Sequence, residues 1–439
     1  MNIISDRDRQ KELSMTRKAE KIAGELRGRI AGMKPGDKLP SEAEVARRFG
    51  VARMTAARAL DLLVSWSLAE RIPGRGTFVS RQSRKVIRIA GGNSTYTQVM
   101  LSLLSEHYPH FDFQIDEVEN ADLIKIVTCF PLPYEPLLMP LPDEMLDRIR
   151  RADRLFPFVF ELHRQNEQIY SLPSFFAPVA IAWNRDLMRR IDPAFEPLTL
   201  TPERFPVLCR MAQEKGFHGF TGDFTRLLVS NALTCAAAVR NDEAFIERAL
   251  ELIFSWFEYF DSEAAFRKGD TLFSFVPRNY LEKYMRTGIN FDLAPFPAFF
   301  GQRIPPIISE GLAVSPKAAD RTQLFEICEY TLSAEYQRKQ TGIFSGLSPD
   351  RAETASLMQV CSFRDDFYFV GLDRILNQRQ FFSADFCREE IRLLSLMQLG
   401  RISPDECRRR ILEEYRSSIR EADDNRQLMN NLHKLSQKQ

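Results

Sequence analysis

The stretch 39-LPSEAEVARRFGVARMTAARAL-60 decides how the chain begins. Ser41 with Glu44 three residues later is a capping-box pattern, in which each residue satisfies a backbone N–H of the other. Val45, Ala46 and Phe49 then form an inner face. Gly50 ends this helix, as glycine does at helix C-termini. A second helix runs on from Arg53. Ala56, Leu60, Leu63 and Val64 point to a core, which leaves Arg53, Met54, Ala57, Arg58 and Asp61 on the opposite side. Two short helices around one glycine, with basic residues outside, can read DNA. The same arrangement also builds small helical domains of any purpose.

The flanks narrow the choice. Upstream, Ile22, Leu26 and Ile30 repeat at i, i+4, i+8, with Ala19 and Ala23 on the same side, and predict a helix over Met15–Ala31. Lys34-Pro35-Gly36-Asp37 is turn chemistry. Downstream of Trp66, LAERIPGRGTFVS reads as strand, turn, strand, with Arg75 between Gly74 and Gly76 at the tip. Three helices and a hairpin are the layout of a winged helix-turn-helix. Charge agrees. Residues 1–85 hold nineteen Lys or Arg against ten Asp or Glu, a net of +9, while the remainder holds 41 against 49, a net of −8. A basic module on an acidic body suggests a polyanion partner for the first part alone.

From Lys34 to Ser80 the chain resembles the GntR family of bacterial regulators, through P-G-D-K-L-P-S-E, F-G-V-A-R-M-T and R-I-P-G-R-G-T-F-V-S in that order. The resemblance implies a third helix in the major groove and a wing tip at the minor groove of double-stranded operator DNA. It implies Arg53 as a base-reading or phosphate-binding arginine, Thr55 as a phosphate contact, and Gly76 and Thr77 as the wing tip. Ser41, Met54, Arg58 and Arg75 complete the candidate DNA-binding set. Three positions depart from the family pattern. Ala52 stands where a capping Ser is usual, Ala43 where an arginine is frequent, and Ala57 where another arginine is expected, with Arg58 one position later. One position turns about 100° around a helix, so fewer base contacts or a different operator are expected.

Beyond a polar, basic linker at 80–85, VIRIAGG reads as a buried strand ending in two glycines. Ser94 can cap a helix that runs to about Tyr108. FDFQIDEV alternates as a strand, and ADLIKIV is apolar enough for the middle of a parallel sheet. Such units make an open α/β sheet, whose ligands bind outside the carboxyl ends of the strands. That places Gly91, Gly92 and Asn93, then Thr128, Cys129 and Phe130, at a candidate site.

The remainder resembles the extracellular solute-binding proteins of sugar importers, folded as two-lobed periplasmic binding proteins of type II. The likeness rests on five stretches in order: 170-YSLPSFFAPVAIAWNRDLMRR-190 as the crossing strand with its Asn-x-x-Leu step, 200–216, the return crossing at 291–320, the helix pair at 324–349, and the last helix at 400–419 with Ser403 and Pro404 at its start. It implies a ligand-controlled regulator with a sugar or oligosaccharide in an interlobe cleft. Asn93, Phe130, Ser174, Phe175, Asp223, Arg278 and Glu310 are the candidate ligand residues. Phe176 and Phe224 are further aromatic candidates, and core packing is the competing role for every one of these phenylalanines.

Composition excludes other classes. No run of eighteen apolar residues suggests a membrane span, and the polar start MNIISDRDRQKEL does not read as a signal peptide, so a cytoplasmic protein is expected. Seven scattered cysteines without a C-x-x-C pair read as reduced thiols, and five histidines show no metal spacing. No catalytic residue, metal or cofactor is expected. An aminotransferase-like body, with Lys317 as the one remotely suitable Schiff-base lysine, and a binding protein that has lost DNA binding remain as alternatives. The expected architecture is multi-domain: a winged helix-turn-helix at 1–80, a linker at 81–85, a two-lobed α/β sensor at 86–420 and a polar tail at 421–439. A homodimer is expected.

Overall fold

The computed structural model describes residues 6–30, 33–80, 85–128, 137–165, 168–222, 225–261, 266–360, 365–372 and 378–436. By its contacts the chain divides into two compact units, Met1–Ala121 and Asp122–Gln439.

The first unit opens with α1 (Asp6–Ile30), α2 (Glu42–Phe49) and α3 (Arg53–Ser65), followed by β1 (Ala69–Ile72) and β2 (Gly76–Val79). The three helices share one core, in which Ile22, Leu26 and Ile30 of α1 meet Val45 of α2 and Ala56, Leu60 and Leu63 of α3. α1 begins nine residues before the expected Met15. Residues 6–14 are mostly charged and polar and carry no apolar repeat, so periodicity does not detect them. The strands pair antiparallel from Ala69↔Val79 to Ile72↔Gly76. The turn before α2 lies along the hairpin's outer strand: Leu39 N donates to Thr77 O at 2.9 Å and Val79 N to Asp37 O at 2.7 Å. β3 (Lys85–Ala90), α4 (Thr95–His107) and β4 (Phe111–Ile115) then form a strand–helix–strand unit. β3 and β4 run parallel, Lys85↔Phe111 to Ile89↔Ile115. Met100, Leu103 and Leu104 of α4 are buried, as are Ile87, Ile89, Phe111 and Phe113 of the strands.

The second unit holds β5 (Leu123–Val127), α5 (Asp143–Arg151), α6 (Val159–Leu162), β6 (Arg164–Gln165), β7 (Gln168–Ile169), β8 (Pro173–Asn184), α7 (Arg185–Ile191), α8 (Arg204–Glu214), β9 (His218–Thr221), α9 (Thr225–Val239) and α10 (Glu243–Phe257). It continues with β10 (Thr271–Pro277), α11 (Leu281–Met285), β11 (Phe291–Ala294), β12 (Ile307–Val314), α12 (Arg321–Tyr330), α13 (Ala334–Thr341), α14 (Arg351–Val360), α15 (Ala384–Gln398) and α16 (Pro404–Ser436). Its main strands lie in the order β5-β12-β8-β10-β9. β8 is the spine. Its first half pairs with β12, Pro173 to Pro178. Its second half carries β10 along Val179–Trp183 and β11 along Ile181–Asn184. Twelve residues of strand span roughly 40 Å, so one continuous segment links two sets of partners, as a crossing strand must. Asn184 ends it and caps α7, accepting from Asp186 N and Leu187 N.

β5 departs from its reading as the middle of a parallel sheet. It pairs antiparallel with β12, Leu123↔Val314 to Val127↔Glu310. Continuous apolar character reports burial on both faces and leaves strand direction open, because direction is decided by a partner 187 residues away. α16 starts as expected, with Ser403 Oγ accepting from Glu406 N at 3.2 Å. It continues to Ser436, through most of the stretch expected as a polar tail. The main core of this unit is aromatic. Phe205 of α8 stacks on Trp256 at 4.2 Å between ring centroids and on Phe273 at 4.8 Å.

Candidate DNA interface and effector site

Ser41 and Glu44 form the capping box that the sequence suggests. Ser41 N donates to Glu44 Oε2 at 2.7 Å, and Ser41 Oγ accepts from Glu44 N at 3.3 Å. The Ser41 backbone N–H holds the Glu44 carboxyl below the usual carboxylate range. Ser41 is thereby committed to starting α2. Gly50 ends α2 at φ 62°, and Ala52 starts α3 with no side-chain cap. The first N–H groups of α3 are left to solvent or to an anion.

On the outer side of α3, Met54 is 70% exposed. Arg53 is also exposed, and its Nε lies 3.3 Å from Glu42 Oε2. Arg71 of β1 reaches the other oxygen of Glu42 at 3.2 Å and Asp61 at 2.8 Å. A single network thus ties α2, α3 and the hairpin. Arg58 is half-buried. Thr55 and Thr77 are 5% and 8% exposed, so both lie among the core rather than on the open face. At the wing tip Arg75 is exposed and its guanidinium lies 5.7 Å from the centre of the Phe78 ring. Gly76 sits at φ 116°, where a Cβ would also meet Lys38 Cε at 3.2 Å. Sequence reasoning passed over Glu42, Asp61 and Arg71 as a unit. Their charges alternate along the surface, and nothing local says that they converge.

Among the candidate ligand residues, Asn93 stands in the first unit, exposed in the loop before α4 and accepting from Gln98 Nε2. Phe130 and Asp223, with Cys129 and Phe224, lie outside the described residues. Ser174, Phe175, Arg278 and Glu310 are brought together around β8. Phe175 is the register partner of Glu310 across the β8–β12 pair. Its ring meets Phe344 edge-on at 4.8 Å. The Ser174 carbonyl accepts from Gln337 Nε2 at 2.9 Å and Gln340 Nε2 at 3.0 Å. Arg278 Nη1 donates to Ser345 O at 3.2 Å. The approach is close enough that a Cβ on Gly346 would lie 2.7 Å from Phe175. Ser174, Phe175 and Arg278 are 0%, 1% and 2% exposed, and Phe176 is fully buried as well.

Glu310 is held by Lys125 of β5, with Nζ 2.9 Å from Oε2. Burial pushes its carboxyl up, and the lysine opposes that shift. Lys125 inside the apolar run LIKIV and Glu310, the one charged residue in IISEGLAV, are the sequence signal for this pair, since buried charges are retained when paired. Beside it, His163 is fully buried between Ser171 Oγ on Nδ1 and Ser309 Oγ, 2.6 Å from Nε2. Desolvation lowers its pKa to about 3, so the ring is neutral. Thr128 Oγ1 donates to Ile307 O at 3.1 Å and accepts from Ser309 N at 3.0 Å.

The five cysteines among the described residues are buried thiols. Burial pushes the Cys235 and Cys328 thiols up to about 12, the opposite of a reactive thiolate. Among the described residues no cluster of three or more His, Cys, Asp or Glu is placed to hold a metal. No helix there is long and apolar enough to cross a membrane.

Residues 18–79 match the family model described as bacterial regulatory proteins, gntR family. The chain is 43% identical over 70 residues to the HTH-type transcriptional repressor NagR of Bacillus subtilis, 16% of this chain and 28% of that one. It is 43% identical over 63 residues to the mannosyl-D-glycerate transport/metabolism system repressor MngR of Escherichia coli, 14% of this chain and 26% of that one. It spans about a quarter of the length of these curated relatives. Among solved structures it is similar to maltose-bound MalE3 of T. maritima, with a TM-score of 0.58 and 13% identity over 75% of this chain and 99% of that one. It is also similar to the GacH receptor of Streptomyces glaucescens, solved unliganded and with acarbose, with a TM-score of 0.57 and 16% identity over 77% and 99%. Residues 18–79 are a winged helix-turn-helix domain of the gntR type, and the larger body of the chain has the α/β fold of the maltose-binding-like proteins.

Proposed function

We propose that this chain is a ligand-responsive, cytoplasmic transcription regulator without catalytic activity. Residues 1–80 bind operator DNA, and residues 86–420 sense a small molecule, most simply a mono- or oligosaccharide. The observation that carries the reading is the joining, in one chain, of a gntR-type domain to a body with the fold of sugar-binding proteins. The +9 charge of residues 1–85 supports the assignment of DNA to that end. Arg53, Met54, Arg58 and Arg75 are the proposed DNA contacts, with Ser41, Thr55, Gly76 and Thr77 shaping the helix start and the wing. Ser174 and Phe175 lie on the crossing strand and Arg278 and Glu310 beside it, where ligand recognition is proposed. Ser174, Phe175 and Arg278 are buried, so a ligand that reaches them must displace packed neighbours such as Phe344. A homodimer is proposed because operators are read as paired half-sites.

The test is a thermal melt of the full chain against a panel of sugars. A specific ligand raises stability by RT ln(1 + [L]/Kd), about 2.7 kcal/mol at a hundredfold excess over Kd. No shift with any sugar would remove the carbohydrate assignment. Failure of the chain to select any sequence from a random DNA pool would remove the regulator itself.

A further inference from the structure

Arg27 lies in the last turn of α1. Its Nη1 donates to the backbone carbonyls of Ser105 at 3.0 Å and Glu106 at 2.7 Å. Those carbonyls belong to the last turn of α4, where the aligned peptide dipoles concentrate negative charge. A guanidinium is well suited to that end of a helix. The contact joins the winged helix to the first helix of the body, 78 and 79 residues further along the chain.

Both ends of α4 are anchored. At its start Ser94 Oγ accepts from Thr97 N at 3.2 Å, and Thr97 Oγ1 donates to Gly92 O at 3.0 Å. Gln98 holds the Asn93 side chain. The loop 91–93, at the carboxyl end of β3, therefore moves with α4. Thirteen residues of helix make a rod about 20 Å long, and Tyr96, Met100, Leu103 and Leu104 bury one side of it. At the other end, Leu26 beside Arg27 sits in the core that holds Leu60 and Leu63 of α3. α3 carries Arg53 and Met54.

We propose that Arg27 is the latch between sensor and reading head. A displacement of the 91–93 loop travels along α4 to Arg27, then through Leu26 to α3. The inference rests on the regulator reading above and names its route of control. Arg27 is a positioning residue here and need not touch DNA.

The test is a double-mutant cycle on the full chain, which needs no effector. Operator affinity is titrated for wild type, Asn93→Ala, Arg27→Ala and the double variant, with Arg27→Lys as the conservative control. Melting curves confirm that every variant is folded. The latch predicts that Asn93→Ala shifts operator affinity about three- to tenfold in wild type and less than twofold in Arg27→Ala, with Arg27→Lys in between. Such non-additivity is the signature of energetically coupled residues. If Arg27 were only a phosphate contact, Arg27→Ala would weaken binding while the Asn93→Ala effect stayed the same, and the latch would be wrong. It would equally be wrong if Asn93→Ala left operator affinity unchanged in wild type. Either result leaves DNA binding, and so the regulator reading, standing.

Discussion

Glu42 Oε2 and Arg53 Nε lie 3.3 Å apart across the turn that joins α2 to α3. The arginine proposed to meet DNA is therefore already paired within the free protein. The side chain of Arg53 is 76% exposed, so solvent screens the pair and it is worth only about 0.2–1 kcal/mol. Glu42→Gln should release Arg53, while Arg71 keeps its pairing with Asp61. Operator affinity at low salt should rise about two- to fivefold, read by titration. A fall in affinity would mean that Glu42 holds the arginines in their DNA-binding pose.

Arg53→Ala should weaken binding to a selected operator by about 1–3 kcal/mol, with a smaller loss on unrelated DNA. Competition titrations separate the two. Equal losses on both sequences would make Arg53 a phosphate contact alone.

The Lys125–Glu310 pair offers a stability test. Lys125→Met leaves the Glu310 carboxylate buried without its partner, at a cost of about 3–5 kcal/mol at neutral pH. Burial already raises the folded-state pKa of Glu310 above its unfolded value. The folded state thus binds this proton more readily, and its contribution is fully present below the unfolded pKa and is lost as pH rises through the folded pKa. Urea unfolding of Lys125→Met should therefore recover part of the deficit as pH falls from 7 towards 4.5. A deficit independent of pH would assign the loss to packing.

His163 predicts the opposite trend. Its folded pKa of about 3 lies below the ordinary value near 6.5, so the unfolded chain takes up the proton first as pH falls. Its stabilising contribution is complete above about pH 6.5 and declines from there towards 3, by about 2 kcal/mol at pH 5. His163→Gln should be less stable at pH 7, because Ser171 and Ser309 lose a partner, yet it should lose less than wild type between pH 7 and 5. Parallel pH profiles of the two proteins would contradict the neutral, buried assignment.

What was legible in the sequence was local chemistry. Ser41 with Glu44, Ser94 before α4 and Ser403 before α16 each cap the helix that their spacing suggests. The hairpin around Arg75 follows from two glycines and alternating strands. Partners distant in sequence were not legible. Lys125 announces a need for a counter-charge, but Glu310 is chosen by strand pairing 185 residues away. Arg27 looks like any basic residue of a helical last turn, and only the position of α4 gives it a role. Ser174, Phe175, Arg278 and Glu310 do gather around β8, yet Ser174 and Phe175 are packed by Phe344, Gln337 and Gln340, which no motif marks.

In the proposed regulator, one molecule couples sugar recognition to DNA recognition. The direct measurement is operator affinity of the full chain with and without a sugar that raises its melting temperature. Operator affinity should change about 5- to 150-fold, a coupling of about 1–3 kcal/mol, and sugar affinity should change reciprocally when operator is bound. A sugar that binds tightly while operator affinity stays the same would contradict it.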